Sequence, residues 1–503
     1  MNRWTALFAL AALAAPLAAQ DAAAPPAVGA TLTLDEALAQ ARANSPAYRQ
    51  ALNDAGPARW AVRNATASLF LPSANASLGL GYTGAGSSQF GGTEFRQSSP
   101  SYNSNYSVGL SWRLDGNTLT GPAQTRALQH ATEEEIISAE QLLRADVTTQ
   151  YLIALQGVAQ VDVARQQVER NDDFLKLAQA RYQVGQATLL DVRRAEVEKG
   201  VAEVSLLRAQ QTANEAKLEL LRRMGVESPV AIEQLALTDS FPVVAPEFQL
   251  DQLLALADEQ NPAIRALRAQ ESAAGAALTA AKSDYLPSFN VSAGWSGFAQ
   301  EFTDEDLILG QTLTGAQGSY ASCLENNQIR ASAGLPVNDC LAVSGLQDPS
   351  TLRPEVVTGF REGNDVFPFS FNRSPFSASV SISLPIFTGF SRTLRVSQAR
   401  AQREDADEAV RARRLAVRAD VHGRYLALQT AYRSIAVQAA SRDAAREGLR
   451  LAQDRYRLGS GTALELSDAQ NAVQGAEGDY INSVYGYHIA IAALEAAVGR
   501  PLR

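Results

Sequence analysis

The sequence predicts an α+β membrane protein with two internal structural repeats. Each repeat combines membrane-spanning strands with a long antiparallel helical hairpin. Three observations predict this fold class: a hairpin motif that occurs twice, four segments that alternate apolar and small polar residues, and long runs with coiled-coil spacing. Because a period of two indicates strands and a period near 3.5 indicates paired helices, the two kinds of segment are distinguishable by pattern alone.

The repeated motif is eleven residues long. Arg181–Asp191 returns 274 positions later as Arg455–Glu465. Gly185 suits the left-handed residue that ends a helix, Thr188 suits an N-cap, and Asp191 stands where a capping box places its acid. The corresponding residues of the second copy are Gly459, Thr462 and Glu465. Each copy therefore predicts the tip of a tight helical hairpin.

Four segments have one apolar face and one face of serine, asparagine, glycine and threonine. They cover residues 73–83, 102–112, 289–296 and 376–384. Strict alternation over such lengths is typical of strands with different surroundings on their two faces. Gly79–Gly84 also matches a dinucleotide-binding fingerprint, but it falls on the first of these strands and no helix follows it.

Long helical patterns flank both hairpin tips. In the first repeat the apolar seam is formed by Val147, Tyr151, Ala154, Val158 and Val161. The equivalent seam of the second repeat is formed by Val421, Tyr425, Leu428, Tyr432 and Ile435. Apolar residues that recur in steps of three and four form the seam of a coiled coil. The helical pattern runs from about residue 122 to the tip at Gly185, which predicts a helix of roughly 90 Å.

Four strands are too few to close a barrel within one chain, since membrane barrels start at about eight strands. An open sheet edge in lipid would leave unpaired backbone groups that cost several kcal/mol each. A dimer would give eight strands and little lumen, whereas a trimer gives twelve strands and a water-filled interior. The sequence thus predicts a homotrimer in contact with membrane lipid. A soluble sandwich is the alternative, but it does not explain the long helices.

These patterns predict the following organisation. Residues 1–19 form a secretory signal peptide, because an apolar run after Arg3 ends in small residues. The remaining segments are 20–226 (first repeat, with a β-hairpin at 73–114 and a helical hairpin at 122–225), 227–249 (linker) and 250–503 (second repeat, with a β-hairpin at 287–385, a long extracellular loop at 299–372 and a helical hairpin at 390–499).

The composition excludes several classes of function. The chain has 53 acidic against 44 basic residues and no basic patch with interleaved aromatic residues, so we expect no nucleic-acid partner. Its three histidines lie far apart without metal-ligand spacing, and no cluster of acid, base and nucleophile indicates an enzyme. We expect no cofactor. Cys323 and Cys340 lie in the long loop, where a disulfide is the favoured interpretation over two free thiols or a metal pair.

Several motifs together resemble the TolC-like outer-membrane efflux proteins. The motifs are Leu34-Asp35-Glu36-Ala37 with Asn44 and Pro46, the two Leu-Pro-Ser segments before strands, Leu384–Gly389, the two tips, and the ending Leu494–Pro501. The resemblance covers nearly all of the chain after the signal peptide. It departs at Leu114-Asp115-Gly116, where the first repeat lacks the Pro and Phe of its counterpart, so it does not extend to that local junction.

The resemblance implies a trimer whose twelve-stranded barrel in the outer membrane is continuous with an α-helical coiled-coil tunnel in the periplasm. It implies a passive exit duct for small molecules such as drugs, toxins or metal ions, with a periplasmic adaptor and an inner-membrane pump as partners. The alternative within transport is the outlet of a type I protein secretion system. A periplasm-spanning structural coiled coil is the alternative from another class, but it predicts no strands with alternating faces.

The resemblance also implies roles for residues at the tips. A periplasmic gate would include Asp191, Tyr456, Glu465 and Asp468, with Tyr456 tied to Asp191 and the acids forming rings at the closed end. The family's best-known closed form has an arginine where this chain has Gly461, so we expect a less firmly latched tip. The residues expected to contact the adaptor are Val184, Gly185, Thr188, Leu458, Gly459 and Thr462. Turn geometry and helix capping alone are the alternative explanation for these residues.

Overall fold

A computed structural model describes residues 31–90, 93–227 and 231–502. The predicted signal peptide lies outside these residues. The chain divides into two compact units. A helical unit contains Thr125–Ala277, the segment that ends at Ala61 and the segment that begins at Gln398, while a sheet unit contains Val62–Gln124 and Leu278–Ser397.

Each half of the chain leads from short helices through strands to a long helical hairpin. The first half contains β1 (Thr31–Leu32), α1 (Leu34–Asn44), α2 (Pro46–Phe70), β2 (Ser73–Thr83), β3 (Gly86–Phe90), β4 (Thr93–Ser98), β5 (Ser101–Leu114), α3 (Gly116–Gln183) and α4 (Leu189–Met224). The second half contains a 3-10 turn (Ile232–Gln234), β6 (Ala236–Leu237), α5 (Leu250–Gln260), α6 (Pro262–Ser283), β7 (Ser288–Phe302), α7 (Glu305–Ser332), α8 (Cys340–Ser344), β8 (Leu346–Asp348), β9 (Thr351–Leu352), α9 (Pro354–Asn364), β10 (Asn372–Arg373), β11 (Ser377–Ser383), α10 (Ser391–Arg457) and α11 (Ala463–Val498).

A capping box begins the first helix. The Thr33 side chain accepts a hydrogen bond from the Glu36 amide at 3.3 Å, and the Glu36 carboxylate accepts one from the Thr33 amide at 2.9 Å. This reciprocal pair is a complete capping box. Among the helices of residues 31–90, 93–227 and 231–502, none is both long enough and apolar enough to cross a membrane.

The predicted start of the first long helix, at Pro122, is wrong. Helix α3 begins at Gly116, because Asp115 accepts a hydrogen bond from the Thr118 amide at 2.8 Å and so caps the helix. Pro122 lies inside the helix, where it removes one backbone hydrogen bond without ending it. A Cβ on Gly116 would lie 2.0 Å from the Ser283 carbonyl oxygen, so this position requires glycine.

The core of the helical unit contains residues of both predicted seams. Val147 and Tyr151 are fully buried together with Leu220 and Met224 of α4. In the second repeat, Val421 and Leu428 are fully buried in a second cluster. The Tyr151 hydroxyl donates to the Leu32 carbonyl at 2.9 Å and lies 2.7 Å from the Asp239 carboxylate. This contact joins the long helix to the segments that precede α1 and follow β6.

Four strands form the main sheet, in the order β2, β5, β7 and β11, and all neighbours are antiparallel. The short β10 also pairs with β7, on the same side as β11. Within the described residues, β2 has a partner only on its β5 side and β11 has a partner only on its β7 side. The sheet is therefore open at both edges.

The register places like residues on the same face of the sheet. One row across all four strands consists of serine alone: Ser73, Ser111, Ser292 and Ser379. Hydroxyl pairs bridge this row at 2.8 Å between Ser73 and Ser111 and at 2.7 Å between Ser292 and Ser379. The predicted alternation is thus confirmed as two chemically different faces.

The opposite face is apolar and mostly exposed in the single chain. Its exposed large residues include Leu78, Leu80, Tyr82, Val108, Leu110, Trp295, Phe376, Val380 and Ile382. A soluble sheet buries such a face against a second layer, because apolar surface in contact with water costs about 25 cal/mol per Å². In the described part of the sheet unit, no such layer covers most of the strands.

The predicted long loop at 299–372 is wrong in its extent and its character. Strand β7 continues to Phe302, and the chain then folds into α7, α8, β8, β9 and α9. The Asn364 side chain accepts a hydrogen bond from the Phe302 amide at 2.7 Å and donates one to the Phe302 carbonyl at 2.9 Å. A neighbouring strand would satisfy the same two backbone groups. We call residues 303–371 the insert.

The predicted disulfide is confirmed. Cys323 of α7 and Cys340 of α8 are bonded, with an S–S distance of 2.00 Å and a Cα–Cα distance of 5.6 Å. Both residues are buried where α7 and α8 meet. The bond closes the segment that carries the turn between the two helices.

The last residues of the insert lie on the apolar face of the sheet. Phe367 contacts the ring of Tyr102 at 5.2 Å between centroids, and Phe371 contacts the ring of Tyr106 at 4.8 Å. Between them, the Ser104 hydroxyl donates to the Pro368 carbonyl at 2.6 Å. This contact buries Ser104 although its strand neighbours on that face are exposed or half-buried.

We predict that loss of the disulfide loosens the insert and leaves the sheet intact. A loop of this size gains about 3 kcal/mol from closure, so local opening should rise by about 100-fold in a Cys323→Ser/Cys340→Ser variant. Limited trypsin digestion should then cleave after Arg330, which lies between the two cysteines. Ser322→Ala is the matched control, and equal cleavage rates in both variants would contradict the prediction.

Candidate functional site: the paired hairpin tips

The two repeated motifs fold into the same turn. Gly185 and Gly459 have φ angles of 76° and 80°, in the left-handed region that glycine adopts without steric cost. The Gln186 amide donates to the Arg181 carbonyl at 2.8 Å, and the Ser460 amide donates to the Arg455 carbonyl at 2.9 Å. The two tips therefore share one backbone conformation.

The caps of the following helices differ between the tips. Thr188 and Asp191 form a complete capping box, with the Thr188 amide donating to the carboxylate at 2.9 Å. Thr462 accepts from the Glu465 amide at 3.1 Å, but the Glu465 carboxylate does not return to the Thr462 amide. The predicted second capping box is thus only half formed. The Glu465 carboxylate lies 3.6 Å from the Arg455 guanidinium instead.

An arginine stabilises each turn by a hydrogen bond to a loop carbonyl. The Arg181 guanidinium donates to the Gln186 carbonyl at 3.2 Å, and the Arg455 guanidinium donates to the Ser460 carbonyl at 3.3 Å. Both bonds span five residues and join the end of one helix to the loop. Arginine suits this role because its planar group presents several donors in a fixed geometry.

Tyr456 is buried where the two hairpins meet. Its ring packs edge-on against Phe174 at 5.6 Å between centroids, and the Arg181 guanidinium lies 4.6 Å above it. Burial raises the pKa of the Tyr456 hydroxyl above its usual value, although the positive charge of Arg181 opposes this rise; the Asp191 charge adds to it. The hydroxyl has no hydrogen-bond partner among the described residues, so the expected tie to Asp191 is not formed within one chain.

The other predicted gate and contact residues lie at the surface. Asp468 is exposed and forms no salt bridge within the part of the chain that the structure describes. Val184 and Leu458 are among the most exposed apolar residues of the tips. Thr188, Gly185, Gly459 and Thr462 are exposed beside them. The structure thus groups the predicted contact residues at the ends of the two hairpins.

Sequence reasoning missed Phe174, Arg181 and Arg455. The two arginines were detectable, since each motif opens on the same Arg-Tyr pair. Phe174 had no such signal, because its equivalent in the second repeat is Gly448.

The family profile described as "Outer membrane efflux protein" matches residues 37–226 and 354–500. These two matches fall on both repeats and include both tips. The chain belongs to the outer membrane efflux protein family. It is an outer-membrane channel protein for efflux, as the sequence predicted.

Solved structures with the same fold come from several bacteria. The chain is similar to a membrane protein from Pseudomonas aeruginosa, with 20% identity, a TM-score of 0.66 and coverage of 93% of this chain and 90% of that chain. It is similar to the outer membrane protein VceC of Vibrio cholerae, with 17% identity, a TM-score of 0.62 and coverage of 93% and 97%. The open state of the Neisseria gonorrhoeae MtrE outer membrane channel gives 19% identity, a TM-score of 0.62 and coverage of 93% and 89%. No curated protein sequence matches the chain.

Proposed function

We propose that this efflux channel works as a homotrimeric passive duct, with a twelve-stranded barrel and a ring of twelve long helices. In this proposal a periplasmic adaptor and an inner-membrane pump deliver small molecules to its helical end. The observation that carries the proposal is the main sheet, which has two open edges and an exposed apolar face.

The open edges require further strands. The outer edges of β2 and β11 present backbone donors and acceptors that a hydrocarbon environment does not satisfy. Pairing β11 of one copy with β2 of the next satisfies both edges at once and repeats until the ring closes. Three copies supply twelve strands, which leaves a lumen, whereas eight strands leave an interior that side chains fill.

The two faces then receive suitable surroundings. The apolar face, which includes Leu80, Trp295 and Val380, lies against lipid. The opposite face carries the serine row and lies against water. Among the described side chains on this face of β2, β5, β7 and β11, one is charged, Arg113. The Arg113 guanidinium is paired with the Asp115 carboxylate at 2.9 Å. A lumen with so little charge accepts solutes of either sign.

The helices of a single chain also have an exposed apolar face. Four exposed apolar residues of α10 lie on one stripe, and three of them recur every eleven residues, which is three helical turns. The stripe consists of Leu415, Leu426, Val437 and Leu451. We call it the α10 stripe.

The equivalent face of the first repeat is buried within the chain. Leu152 and Val163 of α3 are 0% and 8% exposed, whereas their equivalents in the α10 stripe, Leu426 and Val437, are 51% and 68% exposed. Helix α3 contacts α11 within the chain, where Gln160 donates to the Gly478 carbonyl at 3.1 Å. Within the described residues of one chain, the α10 stripe lacks such a neighbour.

The matching neighbour is α4, the first-repeat equivalent of α11. It carries an exposed apolar stripe of its own: Val197, Val201, Val204, Leu207 and Leu218. We call it the α4 stripe. Repeat symmetry places the α10 stripe of one copy on the α4 stripe of the next, because α3 and α11 already form the same contact inside each chain. This contact joins the copies head to tail, and such contacts form a ring when the rotation between successive copies closes, as it does with three copies in the proposed trimer.

At the tips, we propose that Asp191, Glu465, Asp468 and Tyr456 belong to the gate. Threefold symmetry brings three copies of each carboxylate together, and rings of carboxylates favour cations. The exposed Val184 and Leu458 project from the hairpin ends and suit an adaptor contact. Position 461 is glycine in this chain, whereas the family's best-known closed form has an arginine there. The gate of this chain therefore has fewer bonds that hold it closed.

We predict that a Val204→Cys/Ser434→Cys variant forms crosslinked dimers and trimers with a short bis-maleimide. These positions are the repeat equivalents of Gly478 and Gln160, which touch within one chain. The native cysteines are bonded to each other and do not react. Denaturing gels measure the outcome.

Each single-cysteine variant is the control, and neither should give a ladder. If the double variant remained a single-chain band while purifying as a folded oligomer, the helix contact between copies would be wrong.

We also predict that Asp468→Ala lowers the cation preference of the reconstituted channel and changes its single-channel conductance. The substitution removes three carboxylates from one constriction, and such rings attract cations. Planar-bilayer recordings in a salt gradient measure both quantities. Asp468→Glu keeps the charge and should behave like the unchanged protein. An unaltered conductance and reversal potential in Asp468→Ala would exclude Asp468 from the gate.

A further inference from the structure

Within one chain, Tyr456 fills a socket made by the neighbouring hairpin. Phe174 forms one wall, the Arg181 guanidinium covers the ring, and the tyrosine is only 3% exposed. A cation above an aromatic face and an edge-on aromatic pair are both favourable contacts. We call this arrangement the tyrosine socket. It fixes the tip of the second hairpin to the tip of the first.

A second socket is half built in the single chain. Tyr182, the repeat equivalent of Tyr456, is 46% exposed. Arg455, the equivalent of Arg181, is held by its bond to the Ser460 carbonyl at 3.3 Å in the same way that Arg181 is held by the Gln186 carbonyl. Both halves of the contact therefore exist in each chain, but they do not meet there.

The turns that carry these residues are congruent. Their glycines differ by 4° in φ, and the threonines that follow have φ and ψ of −95° and 160° at Thr188 and −93° and 157° at Thr462. If the α3 tip of a neighbouring copy lay beside α10 as the α10 tip lies beside α3 within one chain, Arg455 would meet Tyr182 as Arg181 meets Tyr456. The α10 and α4 stripes require a neighbour in that position.

We propose that Arg455 of one copy covers the ring of Tyr182 in the next copy, so that a second tyrosine socket forms at every boundary between subunits. The inference depends on the proposed trimer and adds to it a residue that each copy contributes to its neighbour's tip. The partner is a second copy of this chain.

The two kinds of socket differ in strength. The wall that Phe174 provides within the chain is absent between copies, because the equivalent residue is Gly448. An ideal Cβ at Gly448 meets no atom within 4 Å, so nothing among the described residues of the same chain replaces the missing ring. Arg455 is also shared with the Glu465 carboxylate at 3.6 Å, whereas Asp191 is held by Thr188. The boundary between subunits is therefore the weaker contact at the tip.

This difference locates where the ring of tips separates first. The two tips of one chain remain joined through Tyr456, while the contact through Tyr182 to the next copy opens at lower cost. A substrate that widens the ring would then part the subunits at the Arg455–Tyr182 contact and keep the hairpins of each chain paired.

Photocrosslinking tests the placement directly. p-Benzoylphenylalanine at position 182 should give crosslinked dimers and trimers on denaturing gels, with the crosslink mapped to residues around Arg455. The same probe at position 456 is the matched control and should crosslink within one chain, near Phe174, without a change in apparent mass. If the probe at position 182 formed no product between chains in a preparation shown to be oligomeric, the socket would be wrong while the trimer stood.

The missing wall gives a second test. Gly448→Phe should fill the socket between subunits and make dissociation of the oligomer in detergent roughly tenfold slower. A Gly448→Phe/Tyr182→Ala variant lacks the ring that the new side chain would contact and should lose the gain. Faster dissociation in Gly448→Phe, or an equal gain in both variants, would overturn the inference.

Discussion

The structure depends on one constraint, the need to satisfy the two open edges of the main sheet. Strands β2 and β11 each lack a neighbour on one side within the described residues, and the sheet between them has an apolar face that is mostly exposed. In lipid, unpaired backbone groups cost several kcal/mol each, so neither edge is stable alone. The alternation of serine with apolar residues is explained if one face meets lipid and the other meets water.

The helical unit also has a surface that a single chain leaves uncovered. Its two repeats have nearly identical tips but different surroundings, since Tyr456 and Leu152 are buried while Tyr182 and Leu426 are exposed. Repeat symmetry turns this difference into a prediction, because every contact between α3 and α11 implies an equivalent contact between copies. The places where the repeats diverge, such as Phe174 against Gly448, then distinguish contacts within a chain from contacts between chains.

Much of the fold was predictable from the sequence because its signals are local and periodic. The strands, the seams and the caps at Thr33 and Thr188 follow from spacing and from helix-end chemistry. The insert was not predictable as a folded element, because its order rests on a disulfide and on contacts such as Asn364 with Phe302. The predicted start of α3 is wrong because Pro122, although it suits a first helical position, lies inside the helix. At the tips, the motif identified the turns, but the tyrosine socket depends on a residue that the repeat does not preserve.

The mass of the purified particle tests the central claim most directly. Native mass spectrometry or light scattering of the detergent-solubilised protein, corrected for bound detergent, measures the number of chains, each of 53.7 kDa before any processing. A closed ring of sheets predicts a particle of three chains whose circular dichroism contains both helix and sheet. A particle of one chain with that same secondary structure would contradict it, because the sheet would then be stable with both edges open.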